Sequence, residues 1–167
     1  CSWSRGLGDV YKRQIYEGVI TTFFRKGDEY WVKTDNESGE LQDYRVAYVF
    51  GVYPLQQLLL PTHNDRLNAL SIAWDARNAS EGGQRWYHIY ENQDPVTSES
   101  PLHWTGVYHN WNSRCAECHS TNVVKGYDGE RRQYKTTYDQ IDVGCEACHG
   151  PGSVSYTHLT LPTRLLV

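Results

Sequence analysis

An α+β chain is expected from this sequence: an antiparallel β-meander followed by an irregular segment built mostly of loops and short helices. Three observations predict it. From position 18 to 90, β-branched and aromatic runs alternate with turns rich in Gly, Asn and Asp. From 92 to 101 the chain is polar and contains Pro95 and Pro101, which marks a linker. Beyond it, closely spaced cysteines and bulky indoles replace any periodic pattern.

The elements follow in order. Val19-Ile20-Thr21-Thr22-Phe23-Phe24-Arg25 is β-branched and aromatic, Lys26-Gly27-Asp28 turns, and Glu29-Tyr30-Trp31-Val32-Lys33-Thr34 returns as a hairpin. After turn chemistry at 35–39, residues 41–50 read as a third strand, with alternation clearest at Tyr44, Val46 and Tyr48. Gly51 ends or bulges it. Residues 55–60 are apolar and suit either a strand or a short helix. A turn at 61–65 precedes a strand over 66–75, in which Leu67, Ala69 and Ser71 oppose Leu70, Ile72 and Trp74. Glu81-Gly82-Gly83 breaks the chain before a strand at 85–90. The strands are expected to form a twisted antiparallel sheet whose role is packing. Further on, Tyr127-Asp128-Gly129-Glu130 is a turn, and 134–141 fits a short helix or an extended segment.

The chemistry sits in the irregular segment. Cys115-Ala116-Glu117-Cys118-His119 is followed, 30 positions on, by Cys145-Glu146-Ala147-Cys148-His149. Each is C-x-x-C-H, the attachment motif of a c-type haem. Two thiols must add across the two vinyl groups of one porphyrin while the next imidazole reaches the iron from the same side. Two motifs imply two haems. Cys115, Cys118, Cys145 and Cys148 are the expected covalent anchors, and His119 and His149 the proximal iron ligands. Two C-x-x-C pairs also suit a four-cysteine zinc module. Histidine makes up 7 of 167 residues, so its chance placement directly after both pairs has a probability on the order of one in six hundred. The haem reading therefore leads.

Composition agrees. The chain carries a net charge of −4 and 13% aromatic residues. No basic run suggests a nucleic-acid partner, and no apolar run approaches the length of a membrane span. Both ends stand apart. Residues 4–14 and 154–163 resemble a translated sequencing adapter: Asp9 to Gln14 can be coded GAT GTG TAT AAG AGA CAG, whose reverse complement encodes Val154-Ser155-Tyr156-Thr157-His158 in another frame. On that reading 1–14 and 154–167 are adapter-derived, 15–92 is a β-rich domain and 93–153 a dihaem segment. Cys1 and His158 then leave the functional inventory, and the remaining four cysteines all lie in the two motifs. The absence of methionine, even at position 1, fits an interior fragment.

Longer strings carry a family resemblance. Phe50-Gly51-Val52-Tyr53-Pro54-Leu55-Gln56-Gln57, Ala69-Leu70-Ser71-Ile72-Ala73-Trp74-Asp75, Gly82-Gly83-Gln84-Arg85-Trp86, Pro101-Leu102-His103-Trp104-Thr105-Gly106 and Asn110-Trp111-Asn112 precede the motifs. With Cys115-Ala116-Glu117-Cys118-His119-Ser120-Thr121-Asn122 and Gly144-Cys145-Glu146-Ala147-Cys148-His149-Gly150-Pro151-Gly152-Ser153, the chain resembles bacterial multihaem c-type cytochromes fused to tetratricopeptide repeats. The resemblance implies a longer, exported protein with at least one further haem motif upstream and helical repeats downstream.

With no methionine available, a second histidine is the expected sixth iron ligand, and bis-His ligation goes with low potentials. His103 and His88 are the first distal candidates, followed by His109 and His63; a distal ligand from outside this fragment serves equally. No catalytic arrangement stands out. The expected function is electron transfer, with redox partner proteins or neighbouring haem domains of the same chain as partners. Two alternatives remain: a multihaem oxidoreductase with an open haem site acting on a small nitrogen or sulfur substrate, and the zinc-stabilised interaction module. Covalent haem attachment occurs outside the cytoplasm, so a periplasmic or other extracytoplasmic location follows from the motif.

Overall fold

The computed structural model of the protein describes residues 12–150. Cys1, His158, residues 4–11 and 154–163 of the adapter-like stretches, and Pro151-Gly152-Ser153 lie outside the described residues.

The hairpin forms where the turn chemistry places it. β1 (Lys12–Tyr16), β2 (Val19–Lys26), β3 (Glu29–Asp35) and β4 (Leu41–Arg45) make a four-stranded antiparallel meander in sequence order. Its register sets Phe23 opposite Val32 and Val32 opposite Tyr44, so three buried side chains line one face. On the other face, Lys26 Nζ lies 4.1 Å from the centre of the Trp31 ring, and its stem covers apolar surface while the charge stays wet.

The expected third strand over 41–50 is two strands in two sheets. The Val46 N–H still bonds to the Tyr30 carbonyl of the first sheet, whereas the Ala47 N–H bonds to Leu59 of the second. The chain therefore crosses between sheets at 46–47, and β5 (Tyr48–Phe50) belongs to the second. Gly51 ends β5 at a φ of 81°, where a Cβ would collide with the Leu55 carbonyl oxygen. β6 (Leu55–Pro61) resolves the ambiguous apolar run as a strand. Leu58, Leu59 and Leu60 are buried in succession because both faces of β6 are covered.

The single strand expected over 66–75 is interrupted at 70–71. β7 (Leu67–Ala69) and β8 (Ile72–Asp75) both pair with β6, and β9 (Arg85–His88) completes the five-stranded second sheet.

Two antiparallel sheets thus stand where a single one was expected, because the apolar face of the meander needs an apolar partner. Phe23, Val32 and Tyr44 meet Leu58, Leu60, Leu70, Ile72, Trp74 and Trp86 across the gap, and Trp104 closes the cluster. The opposite face of the second sheet presents Leu59 and Ala69 to Trp111 and Ala116 of the cysteine-rich segment. The second sheet is therefore the middle of three layers. The opposition expected along 67–74 holds for the apolar positions: Leu67 and Ala69 face the second cluster, and Leu70, Ile72 and Trp74 the first.

The cysteine-rich layer is mostly loop, with single-turn helices α1 (Trp111–Arg114), α2 (Ala116–His119) and α3 (Glu146–His149). A small hairpin, β10 (Tyr127–Asp128) and β11 (Gln133–Tyr134), separates α2 from α3. Residues 134–141 are extended, bridging back through Thr137 to Val124 and through Gln140 to Thr121. Buried Asn68 ties the layers together: its Nδ2 donates to the carbonyls of Trp104 (3.0 Å) and Gly106 (3.1 Å).

Candidate functional site

Asn110 starts the first motif. Its Oδ1 accepts from the Ser113 backbone N–H at 2.9 Å, capping α1. Trp111, 1% exposed, fixes α1 against the second sheet and meets the Tyr138 ring edge to face at 5.9 Å. α1 passes into α2 through Cys115, whose carbonyl accepts from Cys118 N (3.2 Å) and His119 N (3.0 Å). Residues at i, i+3 and i+4 share one face of a helical turn. The spacing therefore sets Cys115, Cys118 and His119 on one side, while Ala116 turns into the core. Cys118 and His119 are exposed and Cys115 half-buried. Burial, and secondarily the neighbouring Cys118 thiol, push the Cys115 thiol up from 9.0. Phe50 lies edge-on to His119, with ring centres 6.1 Å apart.

The second motif repeats the turn. The Cys145 carbonyl accepts from Cys148 N (3.3 Å) and His149 N (3.0 Å), so its two thiols and imidazole also share a face. Unlike the first, this helix has no buried residue. Its place is set by the chain before it. The Thr121 hydroxyl donates to the Asp142 carbonyl at 2.9 Å and accepts the Gly144 N–H at 2.8 Å. Ser120 Oγ donates to the Ile141 carbonyl at 2.8 Å. The exit of the first motif thereby holds the entry of the second. The sequence lists Ser120, Thr121 and Gly144 among the family strings but gives them no role; hydroxyls directly after a motif are a local signal, whereas partners some twenty residues away are not.

The structure does not bring the distal candidates to either motif. His103 is buried on the sandwich side of the second sheet, with Nε2 3.0 Å from Asp35 Oδ2 and Nδ1 2.7 Å from Thr105 Oγ1. His88 stands opposite Ile72 in the β8–β9 register and stacks on Tyr16 with ring centres 3.5 Å apart. His109 uses Nδ1 on the Ala69 carbonyl and Nε2 on the Tyr90 hydroxyl. His63 is exposed and paired with Glu37 at 2.8 Å. The first motif helix borders the opposite face of that sheet through Ala116, beside Trp111 of α1.

The cysteines of each motif fit the attachment of one haem. Among the described residues no group of three or more His, Cys, Asp or Glu side chains gathers as a metal site. Each motif instead offers two free thiols and an imidazole on one face of one turn, which is what two thioethers and an axial ligand to a single porphyrin require.

Residues 73–150 match the family described as Cytochrome c554 and c-prime. The match starts inside β8, takes in both C-x-x-C-H motifs, and ends one residue past the second. It supports a c-type cytochrome, with covalently bound haem iron, a role in electron transfer and redox partners. Proteins of this class are generally extracytoplasmic. No curated protein and no solved structure matches the chain. Among the described residues no helix is long and apolar enough to cross a membrane.

Proposed function

We propose that the chain passes electrons through two covalently attached haems, one at each C-x-x-C-H motif, as an interior part of a longer multihaem cytochrome. The observation that carries this reading is the one-turn helix at both motifs, each closed by hydrogen bonds from positions i+3 and i+4 to the first cysteine carbonyl. When bound, such a haem supplies a one-electron iron couple tuned by its axial ligands and burial. Cys115 and Cys118, and likewise Cys145 and Cys148, anchor; His119 and His149 ligate from the proximal side. Trp111, Ala116 and Phe50 hold the first site rigid against the sheet.

In this reading the sixth ligands are also imidazoles. His103 and His88 are the sequence candidates, but their sandwich partners would have to be given up, which favours histidines from outside this fragment. Residues 1–14 and 154–167 are excluded from the functional protein as adapter-derived, although 12–14 extend β1. The intact protein is exported to the periplasm and continues into further haem motifs and tetratricopeptide repeats.

The test is the reduced visible spectrum after export to a periplasm with c-type maturation, with haem counted per denatured chain. Two covalent haems with a low-spin spectrum are expected. A high-spin component would turn the reading toward a substrate-binding haem, and a colourless protein holding zinc through thiolates would overturn it.

A further inference from the structure

We infer that Thr121 is a positioning residue that fixes the second haem-attachment helix against the first, so that the two haems form an interacting pair. The inference rests on the two-haem reading and adds to it a determinant of spacing that the motifs themselves do not contain.

None of the residues of α3 is buried. The chain between the motifs is anchored to the rest of the molecule, since Gln133 Nε2 donates to Asp65 Oδ2 at 2.6 Å and Asn112 Nδ2 to Thr136 Oγ1 at 2.9 Å. The exit of the first motif meets the entry of the second where residues 120–121 contact residues 139–144. The backbone of Thr121 bonds in both directions, its N–H to the Gln140 carbonyl and its carbonyl to the Asp139 N–H, each at 3.0 Å. Its hydroxyl then spans Asp142 and Gly144.

Only a side chain that both donates and accepts can close that span. Thr121 is 1% exposed, so water does not compete for these bonds. One side of the clamp lies two residues after the iron-ligating His119, and the other lies one residue before the anchoring Cys145. Gly144 completes the fit: a Cβ there would run into the Gln140 side chain and come within 3.3 Å of Thr121 Oγ1. Haems held at a fixed separation across this junction would interact by Coulomb's law, so that oxidation of one iron would be felt at the other.

The test compares the full haem-loaded chain with Thr121→Val, which keeps the shape and removes both hydroxyl bonds, and with Thr121→Ser, which restores them. Haem count, the ferric electron paramagnetic resonance spectrum and the potentiometric titration are read on each. Amide exchange at Gly144 reports the clamp directly. The wild-type and serine chains are expected to show two haems, the broadened signal of interacting irons and two separated one-electron steps. The valine chain should keep two haems, exchange Gly144 at least tenfold faster and lose the interaction.

A valine chain with fast exchange at Gly144 and an unchanged interaction overturns the inference, as do two non-interacting haems in the wild type. Fewer than two haems in the wild type overturns the two-haem reading itself. Should the valine chain not fold, Thr121→Ala removes the same two hydroxyl bonds, and retention of the interaction there is equally fatal.

Discussion

His88 shows how burial alone changes a residue's behaviour. Its ring lies between Tyr16 and the interior of the sandwich. Burial, with the nearby His109 adding to it, pulls its pKa from 6.5 down to about 4. The folded state thus favours the neutral ring, while the unfolded chain takes up a proton below 6.5. The stability this neutral ring contributes is complete above that value and is lost as pH falls toward about 4, a loss of roughly 3 kcal/mol over the interval. Urea midpoints measured from pH 7 to 4 should fall more steeply for the wild type than for His88→Gln, and parallel declines would refute the argument. Asp35 behaves differently. Burial raises it, but hydrogen bonds from His103 and Thr34 and the His103 charge outweigh burial, holding the carboxyl below 3.8. Its contribution persists above that value and disappears only in stronger acid.

At the scale of the element, strand ends decide which layer a residue serves. Gly51 lets β5 turn into β6 so that the three leucines of β6 reach both cores. Gly51→Ala would strain a backbone at positive φ and force the Leu55 carbonyl aside, at a cost of about 1–3 kcal/mol. Thermal denaturation checks this, and an unchanged midpoint would show that the turn relaxes freely. The motif helices are short because each has one task, to align two thiols with an imidazole. Isolated single turns are unstable in water, so α2 depends on Ala116 and on Trp111 of the preceding turn, and α3 on the chain clamped ahead of it.

Across the whole molecule, the cysteine-rich layer is joined to the sandwich through Asn68, the Trp104 indole and Asn112. The Trp104 Nε1–H donates to the Asp35 carbonyl of the first sheet at 2.9 Å, and Asn112 Oδ1 accepts from the Leu67 N–H at 2.8 Å. Asn68→Leu would leave the carbonyls of Trp104 and Gly106 without that donor, at about 1–3 kcal/mol for each group left unpaired. Calorimetry should then show the sandwich and the motif layer parting into broader or separate transitions; a single sharp transition at the wild-type temperature would show that apolar contact alone joins them. The fused unit makes the sandwich a rigid base for the haem-binding layer.

The haem-attachment motif and the local turns can be read from short stretches of the chain. C-x-x-C-H names its cofactor because thioether spacing and axial ligation are written within five consecutive residues, and Lys26-Gly27-Asp28 turns a hairpin whatever lies around it. The sequence could not determine how β4 parts from β5, since Val46 and Ala47 continue an alternation that only their partners interrupt. Residues 55–60 were ambiguous for the same reason: burial on both faces erases the period that distinguishes strand from helix. The histidines divided by tertiary structure, as His103 and His88 carry no local mark of the sheet face they occupy. Thr121 is the sharpest case. Its bonds to Asp142 and Gly144 join residues more than twenty positions apart, and such pairings exist only once the chain has folded back on itself.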